Sequence, residues 1–571
     1  MRRLLCFASV CLLAACGEPQ APVANAHAPA AAPAREPLKP TRNGHFSPAI
    51  TAQDFAAHVQ RLAPDEFEGR KPGTIGERAA TTYLIEQFQA MGLKPGAGDS
   101  YLQDVPALET SLLDADKVTL DVATGGNVEK YKFRDDMIVG TLQGKGEVDL
   151  RDSDLVFAGY GVVAPEYQWN DYAGLDVKGK TVVVLINDPG FGNGDDSLFK
   201  GKAMTYYGRW TYKFEEAARQ GAAACLIVHD TDGVGYPWQV VINSWSGPQF
   251  SLTVSDDTAP RLAVAGWLTP AAAQRLFAKA GADFAALKKS ADLRGFKASP
   301  LPAKLSVAFR NQIRNVLSTN VLALLPGAQR ADEVIVYSAH WDHFGHDPAL
   351  SGDQIYNGAI DNGSGLAALL EIADAFAHQQ PPPQRSLLFL ATTLEEAGLL
   401  GSRYYALYPP HPLAKTVADI NMDELIPWGR THDMAIIGFG QSQMDDYLRA
   451  VLQSAGRTVS ADEEPEKGFF YRSDQLNFAR AGVPVLFARG GFDKLDGGKV
   501  AGKAAYDDFT ANRYHKTGDE YDSRWDLSGV IEDVQALYAV GKRLGDESTF
   551  PQWAADSEFR AAREASMKST K

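Results

Sequence analysis

Five short stretches put imidazole and carboxylate groups where they could act together. "EVIVYSAHWD" carries His340 and Asp342 just after an apolar run, and "AIDNGSG" sets Asp361 before a small-residue helix start. "TLEEAGLLGS" places Glu395 beside Glu396, "INMDE" supplies Asp423, and "NRYHKTGDE" supplies His515 next to Tyr514. Imidazole and carboxylate without thiolate suit zinc or a similar first-row ion, and one carboxylate can bridge two ions. His340, Asp361, Glu396, Asp423 and His515 together would offer two neutral and three anionic ligands to two dications. Such a pair suits hydrolysis, because it polarises a carbonyl and acidifies bound water. Taken alone, the Glu395–Glu396 pair has a plainer reading as a solvated helix N-terminus, where acids meet the positive end of the dipole.

The elements that must position these groups are legible as apolar runs. "EVIVYSAH", "SLLFLATT", "TVADINMD" and "VPVLFARG" read as strands buried on both faces. They alternate with helical segments such as "GSGLAALLEIADAFAHQ" and "QMDDYLRAVLQSAG". This alternation predicts an α/β fold with a mostly parallel central sheet flanked by helices. The first four chemical sites then fall at carboxyl ends of predicted strands, where open α/β sheets build their sites. Adjacent residues at an extended strand end point to opposite sides, so Glu396 could reach an ion while Glu395 faces an attacking water as general base.

The 571 residues divide by texture. Residues 1–15, with Arg2 and Arg3 before an apolar core, read as a secretory signal too short to span a bilayer. "LAAC" resembles a bacterial lipoprotein signal, which would leave Cys16 as a lipidated N-terminus and membrane anchor. This predicts an exported lipoprotein facing the periplasm or on the outer membrane of a Gram-negative bacterium. Residues 16–45 are Ala/Pro-rich and read as a tether. Residues 46–139 open the main domain, 140–298 form a β-rich insertion, 299–550 complete the main domain, and 551–571 are a tail. Of the four cysteines only Cys225 lies in the folded part, in an apolar run that predicts burial. A formal charge of −15 and the lack of a basic run exclude nucleic acid as a natural partner.

With these residues placed, "HWD", "AIDNGSG", "LEEAGLLGS", "INMDE" and "YHKTGDE" resemble, in order, the motifs of the M28 family of co-catalytic zinc peptidases. The resemblance implies two zinc ions per chain. Asp361 would bridge them, His340 and Asp423 would complete one site, and Glu396 and His515 the other. Asp342 would orient His340, and Glu395 would be the base. Tyr514 would donate to the tetrahedral oxyanion, and Arg472 in "YRSDQLNF" would line the pocket for peptide substrates. The family often has histidine where this chain has Gln475. "GYGVVAPEYQWNDYAGLDVKGKTVVVL" resembles the protease-associated domain, usually a non-catalytic insertion beside an active site. An aminopeptidase is the expected activity. A carboxypeptidase on the same core, or a surface receptor that keeps the fold without catalysis, are the alternatives.

Overall fold

The computed structural model describes residues 46–568 apart from 194, 196 and 255–258. The signal segment, Cys16 and the tether lie outside the described residues.

The four apolar runs form the sheet they predict. The strands Arg385–Thr392, Arg330–His340, Thr416–Asn421 and Val485–Gly490 lie side by side and parallel. All eight residues of Arg385–Thr392 and all six of Thr416–Asn421 are buried, as a strand covered on both faces requires. Antiparallel strands flank these four on both sides. Val321–Leu325 pairs with Arg385–Thr392, and Asp433–Ile436 pairs with Val485–Gly490. The helices Ala52–Leu62, Ile75–Ala90, Gly363–Ala377 and Ser528–Asp546 pack their apolar residues into the core over this sheet. Gly92, past the end of the second helix, takes the left-handed conformation (φ 77°) that stops it, and its N–H returns to Gln89.

A second core is built from residues 118–309. Its parallel strands Glu147–Phe157, Thr181–Leu185, Ala224–Val228 and Val264–Leu268 are adjacent in that order, and Met137–Gly140 runs antiparallel at the edge. Cys225 is fully buried here. Residues on either side of the 140–298 stretch, from Val118 and up to Phe309, pack into the same core. Its early hairpin, Thr119–Thr124 with Asn127–Lys132, alternates polar and apolar residues and lacks the dense apolar texture of the later strands. At the other end no linker separates the two cores. One 27-residue strand, Ser299–Leu325, pairs with the insertion's strands through its first half and with the central sheet through its last residues.

Residues 551–568 pack onto the main core. Trp553, Phe559 and Arg563 are buried. Trp553 donates to the Gly482 carbonyl at 2.8 Å, and Arg563 donates to the carbonyls of Leu413 and Thr416 at 3.0 and 2.9 Å. Anchors this widely spaced among polar residues leave no periodic apolar pattern to read.

Arg70 ties the N-terminal segment to the loops that carry the chemistry. It is fully buried and donates to the carbonyls of Leu62, Trp341, Asn357 and Gly358 at 2.6–2.9 Å. Arg70→Ala leaves four buried acceptors without a donor. It is expected to cost at least about 3 kcal/mol in urea unfolding; a cost under about 1 kcal/mol would mean that the loops hold themselves.

Candidate metal centre

His340 is the last residue of its strand, so its side chain emerges at the carboxyl edge of the sheet. Asp423 follows the end of the neighbouring strand Thr416–Asn421. Asp361 lies in the loop before the helix Gly363–Ala377, whose first turn Asn362 caps by accepting the Gly365 N–H at 2.9 Å. The Asp519 carboxylate fixes this loop by accepting the N–H groups of Ile360 and Asp361 at 2.9–3.1 Å. Gly358, at φ 57°, lets the loop close: a Cβ there would come within 2.4 Å of the Asp361 carbonyl.

The five expected ligands converge. His340 Nε2 lies 3.2 Å from Asp361 Oδ1 and 3.3 Å from Asp423 Oδ1. His515 Nε2 lies 3.3 Å from Asp361 Oδ2 and 3.3 Å from Glu396 Oε2. Asp361 thus turns one oxygen to each histidine. His340, Asp361 and Glu396 can face a common point, as can His340, Glu395 and Asp423.

Glu395 and Glu396 do not sit on a strand end. The strand stops at Thr392, Leu394 takes a left-handed conformation (φ 53°), and both glutamates lie in the turn that follows. The turn still separates them, Glu395 toward Asp423 and Glu396 toward His515. Asp342 also acts differently from expectation. Its backbone carbonyl, 3.1 Å away, touches His340 Nδ1, while its carboxylate is 4.0 Å from that nitrogen and accepts the Glu395 N–H at 3.1 Å. Asp342 therefore holds the turn carrying the glutamates as much as it holds the histidine.

The electrostatics need cations that the side chains do not supply. Among the described residues no lysine or arginine hydrogen-bonds to Asp361, Glu395, Glu396 or Asp423. Burial raises Glu395 and Glu396 well above the usual carboxylate range, and neighbouring acids add to it, Asp423 at Glu395 and Asp361 at Glu396. Burial works against a charged His340, yet Glu395 and Asp423 hold it well above its ordinary value. Burial also pushes Asp342 and Asp519 up to about 7. Dications would invert this balance, so the donor set fits two hard or borderline metal ions.

Two further residues support the ligands. His343 is buried, with Nδ1 2.6 Å from Glu396 Oε1. Asp519 sits inside the "YHKTGDE" stretch, but its partner amides lie far off in sequence, so only its place in that stretch could have pointed to it. Asp519→Ala is expected to weaken metal binding about 10- to 100-fold, read by competition with a colorimetric chelator; unchanged affinity would show that the Asp361 loop needs no such support. Gln475, where the related pattern has histidine, is fully buried. It accepts from Asn421 at 2.7 Å and donates to the Phe470 carbonyl at 2.7 Å, a structural role.

A cleft of about 180 Å³ opens on Asp361, Glu395, Glu396, Asp423 and His515. Its walls come from both cores, with Tyr206, Arg209, Trp210, Tyr236 and Trp245 contributed by the insertion. Asn243 of the insertion donates to the His515 carbonyl at 3.2 Å, and Met204 N–H donates to the Pro465 carbonyl at 2.9 Å. Tyr514 stacks on the His515 ring with centroids 3.9 Å apart, and its hydroxyl accepts from Arg472 at 2.6 Å, leaving its own proton to donate. His346, by contrast, is exposed and bonds Gln354.

Sheet order and donor set define an α/β domain with a candidate metal centre at the carboxyl edge of its central sheet. Residues 320–539 match the model of peptidase family M28. The mouse protein "Aminopeptidase NAALADL1" is 32% identical over 129 residues, 22% of this chain and 16% of that protein. The "Probable lipoprotein aminopeptidase LpqL" of Mycobacterium tuberculosis is 27% identical over 267 residues, 44% of this chain and 49% of that protein. The matched stretches span no more than 49% of the first curated relatives' own length. The solved aminopeptidase from Aneurinibacillus sp. strain AM-1 shares the fold at 18% identity, with a TM-score of 0.50 over 88% of this chain and 95% of that one.

Proposed function

We propose that this chain is a metal-dependent exopeptidase, a two-zinc aminopeptidase that releases N-terminal residues from peptides. The observation that carries the reading is the bifurcated placement of Asp361, one oxygen on His340 and the other on His515. In it His340 and Asp423 would hold one ion, Glu396 and His515 the second, and Asp361 both. When bound, the two ions would supply Lewis acidity toward the scissile carbonyl and a water of lowered pKa.

The remaining work falls to side chains of this chain. Glu395, beside the His340–Asp423 pair but no part of the five-ligand set, would take a proton from the attacking water and pass it to the leaving amine. Asp342 would keep Glu395 in register through its backbone amide. Tyr514, its oxygen already engaged by Arg472, would point its proton toward the oxyanion. The insertion, which we read as a protease-associated domain over residues 140–298, would roof the cleft and exclude water from it.

Cys16 would carry a lipid that anchors the exported protein to the membrane. The similarity to the mycobacterial protein, named a probable lipoprotein aminopeptidase, supports that placement. Among the described residues no helix is long and apolar enough to cross a membrane.

The direct test uses a soluble chain starting after Cys16. Residue release from a short peptide with a free N-terminus is compared with release from its N-acetylated twin, with and without chelator. Chelator-sensitive cleavage of the free peptide alone is expected. Cleavage of both would point to a carboxypeptidase or broader hydrolase. Cleavage of neither, with metal bound, would leave a binding protein.

A further inference from the structure

The cleft contains a positive charge that no group among the described residues answers. Arg209, at the start of the helix Trp210–Arg219, lines the cleft and is only 7% exposed. Its Nε is buried without a hydrogen-bond partner. Among the described residues its side chain makes no ion pair. The groups acting on it are the Arg472 guanidinium, of like charge, and the phenols of Tyr236, Tyr514 and Tyr206. Burial, with Arg472 adding repulsion, pushes it down to about 10. An unpaired buried charge costs several kcal/mol, so a second positive group beside it is a costly arrangement unless an anion arrives.

Arg472 is held for the same purpose. Its guanidinium lies over the rings of Phe469, Tyr236 and Tyr514, at 4.8, 5.2 and 5.6 Å from their centroids. One nitrogen donates to Tyr514, and no carboxylate pairs with it within 4 Å among the described residues. The acids that line the cleft are committed elsewhere. Asp361, Glu395, Glu396 and Asp423 form the metal end. Glu424 is paired with Arg489, and Glu215 lies 3.7 Å from Arg219 and 3.9 Å from Arg480 and accepts from Tyr206. Trp210 and Trp245, packed edge to face at 5.2 Å, make an apolar wall that would strengthen any ion pair formed there.

We infer that Arg209 and Arg472 form a carboxylate-binding subsite of the cleft, so that the chain acts on peptides presenting a carboxylate near the scissile bond. That group is an acidic side chain or the terminal carboxylate of a very short peptide. Arg209 comes from the insertion and Arg472 from the metal-bearing core, so the subsite exists only when the two cores are docked. The inference rests on the peptidase reading of the same cleft, and its test separates the two.

The zinc-loaded chain is assayed on two peptide pairs. The first pair is C-terminally amidated and differs only in Glu against Gln beside the scissile bond. The second is neutral in its side chains and differs in a free against an amidated C-terminus. One pair is expected to show a preference of about 30-fold or more in kcat/KM for the charged member, and which pair does so names the source of the carboxylate. The preference should fall below about threefold in Arg209→Met and in Arg472→Met, and recover in part in Arg209→Lys. In parallel the zinc-free chain is titrated calorimetrically with glutarate and with uncharged glutaramide. Binding of glutarate alone, lost in Arg209→Met, would support the subsite even if no peptide were hydrolysed. Hydrolysis without a charge preference, a preference that survives Arg209→Met, or no hydrolysis together with no glutarate binding would each overturn it.

Discussion

Glu395→Gln is expected to lower kcat by about 100- to 10,000-fold, the range for loss of a positioned general base, while zinc content and thermal midpoint stay close to those of the unaltered protein. The amide keeps the size of the side chain but cannot accept a proton. The backbone contact that fixes the turn, Glu395 N–H to the Asp342 carboxylate, does not involve the substituted group. The five-ligand set His340, Asp361, Glu396, Asp423 and His515 is left whole. Because burial already raises the Glu395 carboxyl well above its ordinary range, a neutral side chain at this position is compatible with the fold. Turnover within about threefold of the unaltered protein would remove Glu395 from the role. Loss of metal in step with activity would instead make it a ligand.

The second large effect concerns stability. Removal of metal is expected to lower the melting temperature, and to lower it more at pH 8 than at pH 5. In the metal-free protein burial raises Glu395, Glu396, Asp342 and Asp519, the last two to about 7. A carboxyl group whose folded-state pKa is raised binds more protons folded than unfolded. Its contribution is therefore present below the unfolded value of about 4 and is lost as pH climbs through the folded one. Asp361 runs the other way: although burial opposes it, hydrogen bonds with His340 and His515 hold it well below the usual range. Among these carboxyl groups, four raised against one lowered give a net fall in stability from about pH 4 to beyond pH 7. Zinc reverses the slope, since its ligands must be deprotonated, and at free zinc a thousandfold above Kd it adds about 4 kcal/mol per site. Glu396→Ala should abolish part of this gain, with fewer than two ions retained per chain. A melting curve indifferent to chelator at both pH values, or two ions retained in Glu396→Ala, would contradict the assignment.

Much of this site can be read from the chain because metal ligands at strand ends leave a double trace. His340 and Asp423 each close an apolar run, and an apolar run is the strongest local signal a buried strand gives. Asp361 is marked by the Gly/Ser-rich helix start behind it. The glutamate pair is harder, since "LEEAG" fits a strand end, a turn or a helix start equally well. Only the left-handed Leu394 and the Asp342 contact decide for the turn. His343 against Glu396 and Asp519 against the Asp361 loop depend on how loops fold back over one another, which no periodicity encodes. Arg209 is less legible still. In "YYGRWTYK" it looks like an ordinary solvated cation, and only docking of the two cores buries it beside Arg472.

The strand Ser299–Leu325 has a thermodynamic consequence. It is an interior member of both sheets at once, bonded to Glu147–Phe157 in one and to Arg385–Thr392 in the other. Neither core can melt without freeing one half of a strand whose other half is held in the other core, so the chain is built as one cooperative folding unit rather than two beads on a string. Intrinsic tryptophan fluorescence, which reports on Trp267 in one core and Trp341 in the other, should therefore follow urea through a single transition. A mutation that loosens the insertion would then be felt at the candidate metal centre, even where it touches no residue of the cleft.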